Sequence, residues 1–154
     1  MEITGKKGLG KVLKIVLIVG FILSIPTIAV SPMLLHHTRN STYSMIIIYP
    51  NGVLMLGIIY QFIKLFKSLE KSEPFTYENV DILKRTSIMS LIMSIFWIVD
   101  LVFMILIMKN TYINYILVIS FLSLLFFGVS IALYILKELM LQATKYKEEN
   151  DLTI

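Results

Sequence analysis

The chain has no cysteine among its 154 residues. Disulfides, thiolate nucleophiles and cysteine metal sites are therefore excluded. Charge is scarce, at 16% of residues, and tryptophan occurs once. Enzyme signatures are missing too. There is no His-Glu-x-x-His, no Gly-x-Ser-x-Gly and no phosphate-binding glycine-rich loop. No apolar stretch carries paired carboxylates, so acid–base chemistry lacks a positioned partner. Lys and Arg nowhere cluster with interleaved aromatics, which argues against direct nucleic-acid binding. The sequence reads as a non-enzyme with no cofactor and no metal site.

What it has in abundance is hydrocarbon. Hydrophobic residues make up 57% of the chain and mean hydropathy is +0.83, against about 45–50% apolar in soluble domains. A bilayer core of about 30 Å is crossed by about 20 helical residues. Four stretches qualify, at 12–35, 45–66, 86–108 and 115–136. Backbone groups in lipid must bond within their own segment, so each span is expected to be a helix. The fold class expected is an all-α, integral membrane four-helix bundle, one domain with short outer loops. Lys6, Lys7, Lys11 and Lys14 precede the first span as in a signal peptide. The apolar run exceeds the about 7–15 residues of such peptides, so the helix is read as retained.

Orientation follows from charge. Every Lys and Arg except Arg39 and Lys109 falls on one side of the four spans. By the positive-inside rule that side is cytoplasmic, with both termini, the 67–85 connection and the 137–154 tail. Every acidic residue except Asp100 shares it, so the sequence pI near 9.2 reflects topology. The outer connections run from His36 to Ser44 and from Lys109 to Asn114, short enough to make each flanking pair antiparallel. Tyr43, Tyr49, Tyr112 and Tyr115 lie near the outer boundary, where amphipathic rings are favoured. His36 and His37 point in different directions and lack acidic partners, so they read as a solvated pair rather than a metal site or pH sensor. Asn40-Ser41-Thr42 matches a glycosylation triplet, but the plainer reading is a polar loop.

Local signals concentrate in the cytoplasmic connection. Pro74 disfavours helix at Glu73. Thr76 is placed to cap a helix over 77–108, with Glu78 at the positive end of its dipole. Phe75 is placed to fold back on Val80. The string Pro74-Phe75-Thr76-Tyr77-Glu78-Asn79-Val80, then Leu83-Lys84-Arg85, and the ending Lys147-Glu148-Glu149-Asn150-Asp151-Leu152-Thr153-Ile154 resemble domain-of-unknown-function family 2975, the YoaS-like four-helix bacterial membrane proteins. The resemblance covers about the whole chain. It implies a multi-pass protein of the bacterial cytoplasmic membrane with no assigned activity and no catalytic residues. Genes of such proteins often lie beside one for a small helix-turn-helix regulator, which makes that regulator a candidate partner. Pro74, Phe75, Glu78 and Asn79 carry over only as a structural turn.

Within the spans one residue is costly. A carboxylate such as Asp100, inside the third span, costs about 2.5–3.5 kcal/mol on insertion scales. It should be protonated or meet polar partners. Counting about 1.5 Å per residue inward from the outer ends puts Asp100, Asn51, Thr27 and Ser123 at similar depth. They are expected to form one intramembrane polar layer. Stripes of small or hydroxyl residues support it: Gly20, Ser24, Thr27 and Ser31; Ser87, Ser90, Ser94 and Trp97; and Ser120, Ser123, Phe127, Ser130 and Tyr134. Such stripes serve close helix packing, or a narrow path for a proton or small solute. Pro26 and Pro50 can kink their helices, and Tyr49-Pro50-Asn51-Gly52 looks locally irregular, but the plainer reading is a proline tolerated near a helix end. The tail is expected to continue the fourth helix to Asn150-Asp151, with Leu152-Thr153-Ile154 either frayed or docked on the Pro-Phe connection.

Two functions remain. One is a membrane interaction, sensor, immunity or regulatory subunit working through its cytoplasmic loop and tail, with a protein partner there. The other is a minimal oligomeric transporter or channel, a homo-oligomer with Asp100 as ionisable group.

Overall fold

Apolar runs of this length leave the backbone nowhere to bond but along itself. The chain forms four helices: α1 (Ile3–Leu35), α2 (Ser41–Glu70), α3 (Tyr77–Ile107) and α4 (Ile113–Asp151). The structure is a computed structural model. It describes residues 3–35, 41–70, 74–107 and 113–151, with side chains over 12–30, 49–69, 74–106, 113–114 and 116–151. His36, His37, Arg39, Asn40, Lys109, Tyr112 and the Leu152-Thr153-Ile154 end lie outside the described residues, as do the side chains of Ser31, Tyr43 and Tyr115. Each helix is long and apolar enough to cross a membrane.

The helix ends obey local rules. The Thr76 hydroxyl accepts the Asn79 backbone N–H at 3.3 Å, and the Thr76 carbonyl accepts the Asn79 and Val80 amides at 3.1 and 3.2 Å. Thr76 is the expected cap, and α3 runs unbroken from Tyr77 to Ile107. Phe75, expected to fold back on Val80, is instead exposed. The helix of α2 begins at Ser41 and passes through Pro50 without interruption, so the proline is tolerated near the helix end and Tyr49-Pro50-Asn51-Gly52 is helical. Beyond its apolar span α4 continues to Asp151. Lys137 marks the transition, paired with Glu138 and lying 4.8 Å from the centre of the Tyr134 ring.

Packing departs from a closed bundle. Neighbours in sequence are neighbours in space: α1 packs on α2, α2 on α3 and α3 on α4. Among the described residues no other pair of helix backbones comes together. The fold is an open antiparallel row. A Cβ on Gly52 would lie 2.8 Å from the Ile28 side chain, and one on Gly57 would collide with Met89 Cε. Those two glycines let α1 and α3 approach α2 from either side. The side chains of α2, α3 and α4 do share one core, Leu65, Ile82, Leu83 and Leu133, flanked by Phe62, Val129 and Met140. Helix α1 contributes nothing to it.

The packing face of α1 is also not the one its small residues suggest. Leu17, Phe21, Ser24 and Ile28 are half-buried, whereas Gly20 meets no neighbour and Thr27 is exposed. Bulky Ile28 filling the notch at Gly52 decides the face. On α4, Ser123 and Ser130 are buried as expected, but Phe127 and Tyr134 are exposed. The buried positions follow Ile119, Ser123, Ser130 and Leu133 instead.

Leu83 is 1% exposed in the shared core. We expect Leu83→Ala to cost about 2–5 kcal/mol, the range for buried leucine truncations. Leu136→Ala, at a position 46% exposed, should cost almost nothing. Unfolding in detergent by titrated denaturant measures both.

Candidate functional site

Serines on the apolar faces of α3 and α4 have few partners to choose from. Ser87 Oγ donates to the Ser130 carbonyl at 2.9 Å, and Ser130 Oγ donates back to the Ser87 carbonyl at 2.9 Å. Two turns along, Ser94 Oγ donates to the Ser123 carbonyl at 3.0 Å and Ser123 Oγ returns the bond to Ser94 at 3.3 Å. Each carbonyl uses a second lone pair, since the first serves its own helix. A serine side chain is short, so these bonds close only where the backbones lie near the lower limit of helix packing, about 8 Å. Ser90, between the two clasps, is fully buried, and its hydroxyl has no partner.

These clasps fix the register, and the register separates Ser123 from Asp100 in the expected polar layer. Asp100, Asn51 and Ser123 are each buried, at 7%, 6% and 7% exposure. Ser123 is level with Ser94, however, and Asp100 lies six residues further along α3, about 9 Å. Thr27 does not join them. It is exposed and donates to the Leu23 carbonyl of its own helix at 2.8 Å. Its helix packs on α2 alone among the described residues. Depth counted from span ends misplaced Ser123 and Thr27 relative to Asp100 because span ends do not fix the stagger between helices.

A second constellation forms at the start of α3. Three consecutive residues, about 100° apart around the axis, reach three different elements. Tyr77 donates its hydroxyl to Glu148 Oε2 on α4 at 2.8 Å. Glu78 pairs with Lys64 Nζ on α2 at 2.9 Å. Asn79, wholly buried, donates its side-chain amide to the Pro74 carbonyl at 2.9 Å and holds the turn that enters the helix. The Pro74, Glu78 and Asn79 motif is thus a hub joining α2, α3 and the α4 extension. Both ion-bearing contacts are exposed, and such pairs stabilise by about 0–1 kcal/mol. Their effect is on orientation. The bond to Glu148 raises the Tyr77 hydroxyl above its ordinary pKa, with lost hydration and the Glu148 charge acting in the same direction. A raised pKa means the contact is present below the ordinary value and is lost as pH rises through the raised one. The tie therefore holds at neutral pH.

Beside the hub, a cavity of about 410 Å³ opens between α2 and α3. Tyr60, Ile63, Lys64 and Lys67 line it from α2, with Thr76 and Glu78 opposite. The sequence reading singled out the motif but missed the partners Tyr77, Glu148 and Lys64. Opposite charges flanking one short connection, Lys64 and Glu78, were the available signal. Glu148 gave none, because no local rule relates residues so far apart in sequence. Among the described residues no group of His, Asp and Glu is placed to hold a metal ion.

The model of a family described as "Protein of unknown function (DUF2975)" matches residues 11–154. No curated protein and no solved structure matches the chain.

The two kinds of buried serine should respond differently to truncation. Ser94→Ala removes the bond to the Ser123 carbonyl and leaves the Ser123 hydroxyl bonded to the residue 94 carbonyl, at a cost of about 1 kcal/mol. Ser90→Ala removes a buried hydroxyl with no partner and should be neutral or stabilising. Paired unfolding titrations check the difference, and equal losses would contradict it.

Proposed function

We propose that this chain, which belongs to the DUF2975 family, is a small multi-pass protein of the bacterial cytoplasmic membrane that acts as a regulatory or sensor subunit, not as an enzyme. Its working surface is the end that carries the α2–α3 connection and the α4 extension, and that end faces the cytoplasm. One observation carries the reading: the Tyr77–Glu148 bond ties these two segments into one surface. Both segments were expected, independently, to lie on the lysine-rich side. A helix that outruns its apolar span by about four turns has no reason in lipid to do so, and it presents Lys145, Lys147, Glu148 and Glu149 to water. The partner that fits is a protein. The family resemblance suggests a small helix-turn-helix regulator, held at the membrane or released from it by this surface.

The transporter reading rests on Asp100, buried in α3. Against it, among the described residues each helix backbone packs only on its neighbours in sequence, and the reading calls for a homo-oligomer. Proteoliposome flux lost on Asp100→Asn would restore it.

Two measurements test the first reading. The cysteine-free chain allows one thiol to be introduced at a time. Thiols from Asp81→Cys and Lys145→Cys should react with an impermeant maleimide only after cells are opened; labelling of intact cells would reverse the topology. Combining Tyr77→Phe with Glu148→Gln should cut co-purification of the neighbouring regulator about fivefold or more, as expected when a hydrogen-bonded surface element loses its orientation. The membrane content of the protein should not change. Unaltered co-purification, or none from the unsubstituted protein, would sink the role assigned to this surface.

A further inference from the structure

The cavity between α2 and α3 is not used by the hub. Its α2 wall follows helical spacing, Tyr60, Ile63, Lys64 and Lys67, so these residues share one face. Along that face the chemistry changes in order. Tyr60 and Ile63 lie toward the middle of the helix; Lys64, Lys67 and Ser68 lie toward its end. The whole gradient runs over eight helical steps from Tyr60 to Ser68, about 12 Å. Opposite the cationic part stand Thr76, whose hydroxyl keeps its own proton to donate, and Glu78 in the first turn of α3. Charge is nearly balanced. Lys64 is paired with Glu78 at 2.9 Å. Lys67 is exposed and makes no ion pair among the described residues, leaving one net positive charge on the described lining.

We propose that this cavity binds the headgroup of a phosphodiester lipid carrying one negative charge, with Lys67 as its principal contact. The inference rests on the reading that α2 and α3 cross a bilayer. The volume of about 410 Å³ falls within the about 300–1,000 Å³ of small-molecule sites. Lys67, Ser68 and Thr76 supply a cation and hydroxyl donors for phosphate oxygens. Tyr60 and Ile63 supply an apolar wall for the first methylenes of the acyl chains. A free phosphate ion would leave that wall unused, so the order of the lining favours an amphiphile. Basic pockets between membrane helices on the cytoplasmic side are where anionic headgroups are held. Because the cavity contains Glu78, its occupant also touches the residue that links α2 to α3.

The test uses the whole protein in nanodiscs of phosphatidylcholine with and without phosphatidylglycerol, followed by native mass spectrometry of the lipid retained after mild delipidation. Phosphatidylglycerol should be retained about fivefold over phosphatidylcholine, the effect of about one lysine near an anionic surface. Lys67→Gln should abolish that preference, Lys67→Arg should keep it, and Lys147→Gln on the tail should leave it unchanged. Lys67 is exposed, so Lys67→Gln should unfold like the unsubstituted protein, which the same samples check. Millimolar inorganic phosphate should not displace the lipid; displacement would assign the cavity to free phosphate and overturn the lipid proposal. Equal retention of the two lipids, or a preference that survives Lys67→Gln, would also overturn it while leaving the regulatory reading intact. Failure to enter phosphatidylcholine discs at all would remove the membrane reading and this inference together.

Discussion

The close approach of α3 and α4, held by four hydroxyl-to-carbonyl bonds, is the constraint on which the rest of the structure depends. Hydrophobic burial gives little preference among neighbours when every helix face is apolar, and in lipid it gives almost none. What remains to choose a partner and a register is shape and the need to satisfy polar groups. Ser87 and Ser94 on one helix, Ser130 and Ser123 on the other, are seven residues apart, so both clasps close in one register and slip together in any other. A one-residue shift would leave four hydroxyls in an apolar seam, each costing about 1–3 kcal/mol. The register thus set carries Tyr77 to within reach of Glu148, well beyond the seam itself.

The α2–α3 contact is of a different kind. Here Gly57 accommodates Met89, and the Leu65, Ile82, Leu83 and Leu133 cluster fills the space near the connection. A flexible methionine over a glycine specifies position less sharply than a reciprocal hydrogen bond. The turn compensates. Asn79 fixes Pro74, Thr76 caps the helix, and Glu78 then meets Lys64. The hub is the outcome of one rigid seam and one well-defined turn, and its exposed ion pair is better understood as a consequence of that geometry than as its cause. Helix α1, with neither seam nor turn of this kind, is held to α2 by Ile28 at Gly52.

Much of this was legible in the sequence, and the reason is specific. Helix existence rests on length and apolarity, and all four were expected. The Thr76 cap and the extension of α4 rest on rules that act within a few residues. Ser87, Ser94, Ser123 and Ser130 were visible because a hydroxyl is costly in an apolar run. What could not be seen was which face of a uniformly apolar helix would pack, since such a helix has no amphipathic contrast to read. Thr27 shows the failure: its hydroxyl bonds its own helix at Leu23, so it needs no neighbour and predicts none. Phe127 and Tyr134 fell on the wrong face for the same reason. The stagger between helices was equally hidden, which is why Asp100 and Ser123 were placed in one layer.

The open row bears on function through what it leaves unenclosed. A transport path needs polar groups on several helices to converge, and here the most polar seam, α3–α4, is closed on itself by its own serines. Asp100 lies beyond the second clasp, about 9 Å from it, on the stretch of α3 that reaches past the seam's last bond. At the opposite end three helices are joined by directional contacts, and a cavity opens whose Lys67 makes no ion pair among the described residues. Lys64 and Glu78 belong at once to that cavity and to the contact between α2 and α3.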